Sequence, residues 1–354
     1  MKHTQRALVA AAVALTLLSG CGGNAPADPG PDESSGTATA TSPDTDTSIT
    51  VAIGGDVHFA ERTLDLLDDP GSAFGPIAEL YTAADHAVVN LETPVTERGE
   101  AEPKQWLFKA PPSAMEALTA AGIDLVSLAN NHALDYGQEG LADTFDHAEA
   151  AGLPVVGAGQ NREEALAAHL VTIDDTTIAY VAVSAVWELW DTWMAQPDRP
   201  GIAHIAHDDL VVAAVEAAAA AADVVIVLPH WGTESQECPD DEQFDWATRL
   251  ADAGADAIVG THAHLLQGNG YLGDTYVAYG IGNHLWWWND AASNDTGVVE
   301  LTIEDKKLTG ARFVPASIDR TTGQPIPATG AEADRILSDL DELRGCAKLS
   351  AEPG

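Results

Sequence analysis

From residue 49 onward, short apolar, β-branched runs alternate with longer stretches whose apolar positions recur at helical spacing. The strand pattern falls on 49–53, 87–91, 123–128, 153–156, 177–183, 224–228, 257–259 and 276–281. Helical spacing fills the intervals at 112–121, 140–151, 208–222 and 242–253. Alternation of this kind predicts an α/β fold with a largely parallel sheet and helices on its faces. Later, 296–304 and 308–316 alternate around Asp305-Lys306-Lys307 in the manner of a hairpin. Residues 49–318, roughly 270 in number, suffice for one sizeable core. The tail 319–354 contains one more helix, and the pattern leaves its packing open.

The first 48 residues do not share this pattern. Lys2 and Arg6 precede an apolar run from Leu8 to Leu18, which is short for a bilayer span and reads as a signal peptide over 1–20. Leu18-Ser19-Gly20-Cys21 resembles the lipobox of bacterial lipoproteins, in which the cysteine is lipidated and becomes the first residue of the mature chain. Residues 21–48 are Gly, Pro, Ser, Thr, Asp and Ala with little to bury, the composition of a disordered tether. No other stretch is apolar enough to span a membrane. The expectation is a protein on the outer face of the cell membrane, anchored through Cys21.

Charge narrows the partners. Sixteen basic residues stand against 55 acidic ones, a net charge of −39. Such a surface repels nucleic acid and anionic headgroups, so an anionic substrate must be captured locally, for instance by metal cations. With Cys21 assigned to the lipobox, Cys238 and Cys346 remain in an oxidising setting, as a disulfide or as two separate thiols.

Candidate chemistry sits where strands end. Ser127-Leu128-Ala129-Asn130-Asn131-His132 joins a strand to a helix, with Asp135 following. Such loops lie at the carboxyl rim of a sheet, where ligands bind. This loop alone reads equally as a hydrogen-bonded turn, with Asp135 as a helix-start cap. The same arrangement recurs, however. Asp56 and His58 follow the first strand, Asn90 and Glu92 the second, His230 and Glu234 a later one, then His262 and His264, and finally Asn283 and His284. Asp, Glu, Asn and His suit hard or borderline divalent metals, and the set suffices for two.

Six segments together resemble one family. They are Gly55-Asp56, Asn90-Leu91-Glu92, Asn130-Asn131-His132-x-x-Asp135-x-Gly137, His230-Trp231-Gly232-x-Glu234, Gly260-x-His262-x-His264 and Tyr279-x-x-Gly282-Asn283. Their order resembles calcineurin-like metallophosphoesterases, and more closely the capsule synthesis proteins of the CapA/PgsA type that serve poly-γ-glutamate capsules. The resemblance covers roughly residues 50–316. It implies a four-layer α-β-β-α sandwich and two divalent metal ions, Mn, Fe, Zn or Mg. It places Asp56, His58 and His264 on one metal, Asn131, His230 and His262 on the other, and Glu92 between them. His132 becomes the proton donor to a leaving oxygen. Asn90, Asn130, Asp135, Glu234 and Asn283 become the residues that orient these ligands.

The resemblance implies an exported, metal-dependent phosphohydrolase of capsule biosynthesis. Its partners would be a phosphoester or polymer substrate at the cell envelope and a capsule export machinery. Two other functions fit the same residues: a non-catalytic accessory for polymer export or anchoring, and a phosphodiesterase unrelated to capsules. Tryptophan is clustered as well. Trp187, Trp190 and Trp193 would share a face of a helix, and Trp286, Trp287 and Trp288 follow the last metal-type loop. They either line a binding surface or pack under loops. Glu188 and Asp191 between them are placed to take a cation or an amine.

Overall fold

The computed structural model describes residues 48–354; the signal segment 1–20, Cys21 and the tether up to residue 47 lie outside the described residues. In chain order, β1 (Ile49–Val57) leads through 3-10 turns into α1 (Ala78–Ala83) and β2 (His86–Leu91). A long irregular loop precedes α2 (Ser113–Ala120), β3 (Leu125–Ser127), α3 (Gly137–Ala151), β4 (Val155–Val156), β5 (Ala158–Gly159) and α4 (Arg162–Leu166). Then come β6 (His169–Ile173), β7 (Thr176–Ser184), the single turn α5 (Trp190–Trp193), β8 (Gly201–Ile202), α6 (Asp208–Ala221) and β9 (Val224–His230). The chain continues with α7 (Asp241–Asp252), β10 (Ala257–Val259), β11 (Asn269–Leu272), β12 (Thr275–Ala278) and β13 (Asn283–Leu285). It ends with β14 (Asp295–Glu304), β15 (Lys307–Ile318), β16 (Pro325–Pro327) and α8 (Ala331–Cys346).

The sheet expected from the alternation is in fact two, and both are mixed. One runs β16-β15-β14-β1-β2-β3-β4, with β13 also paired to β1. Its β1–β4 half is parallel, while β14, β15 and β16 join antiparallel. The other runs β11-β12-β10-β9-β7-β6, parallel in the middle and antiparallel at both edges. Central strands such as β2 and β9 are buried at every position, as parallel strands covered on both faces should be. The edge strand β6 is only half buried and gives a correspondingly weak pattern, which is why periodicity missed it.

The run expected as one strand at 276–281 divides. β12 ends at Ala278 in the second sheet; after Gly282, at a φ of 75°, the chain enters β13 and pairs with β1 in the first. This crossing ties the two sheets together at one rim.

Apolar side chains sort into three large clusters. One joins the outer face of the first sheet (Ala52, Val89, Leu91) to α1, α2 and α3 through Tyr81, Leu118 and Leu141. A second lies between the sheets, where Val51, Ile53 and Val88 meet Tyr180, Ile226 and Val259. The third joins the far face of the second sheet to α6 and α7 through Val211, Val215, Trp246 and Leu250. Helix α7 starts with a reciprocal capping box between Asp240 and Gln243. The tail packs onto the body: Ile336 and Leu340 of α8 belong to the inter-sheet cluster, and Cys346 is disulfide-bonded to Cys238. Among the described residues, no helix is long and apolar enough to cross a membrane.

Candidate metal centre

Both sheets deliver their carboxyl-terminal strand ends to the same rim. Parallel register sets Asp56 of β1 beside Asn90 of β2 and Asn283 of β13, and Asn90 beside Ser127 of β3. On the second sheet, Ser184 lies beside His230, which bridges to Thr261. Two glycines permit the close approach. A Cβ on Gly55 would stand 2.1 Å from the Gly282 carbonyl, and one on Gly260 would stand 2.2 Å from Trp231 Nε1. His262 and His264 both occupy left-handed backbone, with φ of 91° and 57°. Such conformations cost free energy in non-glycine residues and concentrate where a site must aim side chains.

The rim gathers two overlapping groups of ligand-competent atoms. One is Asp56, Glu92 and His230; the other is Glu92, His262 and His264, each with its atoms within 4.8 Å of one another. Glu92 is common to both. His230 Nε2 lies 2.8 Å from Asn131 Oδ1 and 3.4 Å from Glu92 Oε1, so Asn131 faces the same space. His132 Nε2 is 3.9 Å from Glu92 Oε1. Glu92 is fully buried, yet neither of its carboxylate oxygens has a hydrogen-bond partner, and His262 Nδ1 has none either. Buried carboxylate oxygens are seldom left unpaired, because desolvating them without a partner is costly. Oxygen and imidazole donors without sulfur, converging on orphaned lone pairs, fit divalent cations of the Mn, Fe, Zn or Mg kind.

Neighbouring side chains fix the orientation of this set. Asn90 Nδ2 donates to Asp56 Oδ1 at 2.8 Å, and Asn130 bridges Asn90 Oδ1 and the Leu91 carbonyl. Asn283 Oδ1 lies 2.8 Å from His264 Nδ1. Asp135 does not cap a helix. Its Oδ2 lies 2.6 Å from His132 Nδ1 and accepts from Phe108 N, while α3 begins after Tyr136. Sequence reasoning missed two contributors. Thr261 Oγ1 sits 2.8 Å from His230 Nδ1, and it lies inside the Gly260-Thr261-His262 segment where an orienting role could have been sought. Lys104, in the irregular loop after β2, ion-pairs with Asp135 at 2.8 Å; no motif marked it.

Two expected residues stand apart from both groups. His58 is buried next to the centre, but its Nδ1 accepts from Ala60 N at 3.2 Å and its Nε2 faces Trp287 N at 3.4 Å. Its ring is stacked on Phe108 and edged by Trp286, and that packing sets its orientation. Glu234 is exposed and makes no hydrogen bond to a histidine of the rim. The tryptophans divide too. Leu189, at a φ of 53°, starts α5 afresh, so Trp187, Trp190 and Trp193 do not share a helical face. Trp193 is buried, whereas Trp187 is exposed and packs edge-on against Trp190 and His204. Trp286 is buried 4.5 Å from the His264 ring, while Trp106 and Trp288 stand exposed around Trp287.

Burial and the neighbouring charges shift these groups. Burial raises the Glu92 carboxyl well above its ordinary value, and the Asp56 carboxylate adds to this. Burial also works against the Asp56 charge, yet bonds to His264 and Asn90 hold that carboxyl below its usual range. Burial would lower His264, but Asp56 and Glu92 raise it to about 9.

Comparison with known proteins identifies the family. Residues 50–286 match the family model described as bacterial capsule synthesis protein PGA_cap. The chain is similar to the PGA biosynthesis protein CapA of Bacillus subtilis, with 25% identity over 297 residues, 82% of this chain and 77% of that one. It is also similar to the "probable polyglutamine synthesis accessory protein" of Mycobacterium tuberculosis, with 32% identity over 309 residues, 78% of this chain and 79% of that one. Among solved structures, a novel phosphatase from Mycoplasma pneumoniae aligns with 13% identity and a TM-score of 0.49 over 82% of this chain and 96% of that one.

Proposed function

The chain belongs to the bacterial capsule synthesis protein family, and from that premise we propose that it is a two-metal phosphohydrolase of the cell envelope. Its substrate would be a phosphoester formed during capsule or poly-γ-glutamate assembly, and its anchor a lipid on Cys21. The observation that carries this reading is the buried Glu92 carboxylate, unpaired at both oxygens and shared by the two ligand groups.

Asp56, Glu92 and His230, with Asn131, would hold one cation; Glu92, His262 and His264 would hold the other. When bound, the cations would polarise a phosphoryl oxygen and make a water acidic enough to attack near neutral pH. Asn131 brings a neutral oxygen, which limits negative charge where a phosphate must approach. Asn283, Thr261 and Asn90 fix the first-line residues through their remaining atoms. His132 carries the proton for the leaving oxygen. Asp135 engages its Nδ1, which turns Nε2 toward Glu92. Phe108 stacks on the His132 ring at 4.3 Å and keeps water from that face.

Metal analysis of the purified chain, followed by a panel of phosphomonoesters and phosphodiesters, tests the proposal. About two cations per chain and metal-dependent release of phosphate or alcohol support it. A chain that takes up no metal and turns over no phosphoester overturns it. Cys21→Ser tests the anchor separately: the variant should leave the membrane fraction or persist as an unprocessed precursor, and one that fractionates and migrates like wild type overturns lipidation.

A further inference from the structure

The loop between β2 and α2 buries an ammonium group. The Lys104 side chain is only 1% exposed. A buried cation persists only where partners compensate its lost hydration. Lys104 has three oxygen partners and one nitrogen. Its Nζ lies 2.8 Å from Asp135 Oδ1, 3.5 Å from Glu188 Oε2 and 3.4 Å from His132 Nδ1, and it donates to the backbone carbonyl of Asn131. It also stands 4.8 Å over the Trp193 ring.

These contacts surround His132. Asn131 precedes it, and Asp135 stands one helical turn beyond; Lys104 spans the two. Each oxygen of Asp135 is thereby committed, Oδ1 to Lys104 and Oδ2 to His132 Nδ1 and Phe108 N. Lys104 and Phe108 belong to the same loop, so one segment grips the Asp135 carboxylate with an ammonium and a backbone amide. It covers the imidazole with a ring as well. Glu188 comes from the loop before α5, on the second sheet. The amine that Glu188 takes is therefore the protein's own, and the pair joins loops of both sheets across the rim.

We infer that Lys104 is a positioning residue: it holds the Asp135 carboxylate and the Asn131 backbone so that His132 presents Nε2 to the centre. The kinetic side of this inference rests on the phosphohydrolase reading; its structural side does not. Were Lys104 only a neutralising partner for Asp135, its loss would lower stability and slow all substrates alike. A positioning role makes a different demand. Protonation by His132 matters most when the leaving oxygen is basic, so displacing the ring must penalise an alkyl phosphate more than a nitrophenyl phosphate.

The test compares wild type, Lys104→Met and Lys104→Arg as full-length chains loaded with manganese(II). Acid catalysis is typically worth ~10²–10⁴ in rate, so in Lys104→Met the alkyl-to-nitrophenyl ratio of kcat should fall by about tenfold or more, with KM nearly unchanged. Lys104→Arg, which keeps the charge, should recover part of that ratio. A second measurement needs no turnover. The metal-free wild type should show a downfield imidazole N–H proton resonance from the His132–Asp135 bond, identified by its loss in His132→Ala, and Lys104→Met should broaden or shift it. A folded Lys104→Met protein with both the ratio and the resonance of wild type overturns the inference. Should Lys104→Met fail to fold, Lys104→Gln, which retains a donor, is read by the same two criteria. If wild type hydrolyses neither substrate, the phosphohydrolase reading fails, and the resonance alone decides the role of Lys104.

Discussion

Glu92 Oε1 lies 3.4 Å from His230 Nε2, yet neither oxygen of this fully buried carboxylate takes a hydrogen bond. The nitrogen is engaged instead with Asn131 Oδ1 at 2.8 Å. On the two-metal proposal, Glu92→Gln would remove charge from between the cations while keeping shape and volume. The expected outcome is a chain that folds with wild-type circular dichroism but binds at most one metal ion in place of two. Metal content after dialysis checks this; two retained ions would remove Glu92 from its bridging place.

His132 occupies a different position. It faces the centre through Nε2 but belongs to neither ligand group. His132→Ala should keep both metals and lose turnover on alkyl phosphoesters by ~10²–10⁴. Parallel assays of metal content and kcat separate it from Glu92→Gln. A His132→Ala protein that loses metal instead would make the residue a ligand.

His204, outside both ligand groups, reports on pH. Its Nε2 donates to the Val186 carbonyl at 3.0 Å and its Nδ1 accepts from Ala206 N at 3.0 Å, so the neutral ring is the one that fits. Burial lowers its pKa to about 4, against a smaller opposing effect of the Val186 carbonyl. The unfolded chain takes up this proton near pH 6.5 and the folded chain only near 4. The stability from keeping the ring neutral is therefore complete above pH 6.5 and disappears as pH falls toward 4, an effect of about 3 kcal/mol. Urea midpoints of metal-free protein should decline less steeply over that interval in His204→Gln than in wild type. Parallel slopes would contradict the assignment.

The Cys238–Cys346 disulfide closes a loop with a sequence separation of 108. By chain-entropy reasoning it contributes up to about 4–5 kcal/mol. Cys346→Ser should lower the urea midpoint and expose α8 to protease, because Ile336 and Leu340 would then hold the helix without a covalent tie. Equal midpoints and equal digestion would show that packing alone secures the helix.

Much of the centre was legible because its chemistry is local in sequence. Gly260-x-His262-x-His264 follows the short apolar run of β10, whose bounds the pattern located, and strand-end loops of this kind can only face a rim. The pairing of strands was not legible in the same way. β14 returns to β1 from nearly 250 residues away, and no local periodicity encodes that partner. The six-residue run at 276–281 read as one strand because its apolar character continues past the end of β12 at Ala278. His58 shows a further limit: its place after β1 was readable, whereas the direction of its ring depends on Phe108 and Trp286, from two remote loops. Lys104 left no signal, since an isolated lysine in an irregular loop looks solvated until Asp135 and Glu188 close around it.

The seating of α8 has a consequence for the order in which the molecule is made. β1 is the first element of the described residues, and its antiparallel neighbour β14 starts only at Asp295. The layer beneath β1 is completed by Ile336 and Leu340, from the far end of the described residues. A nascent chain therefore cannot finish the sheet around β1 until β14 has left the ribosome. Contacts so distant in sequence form slowly. That delay leaves the polypeptide unlocked, with unpaired strand edges, for longer.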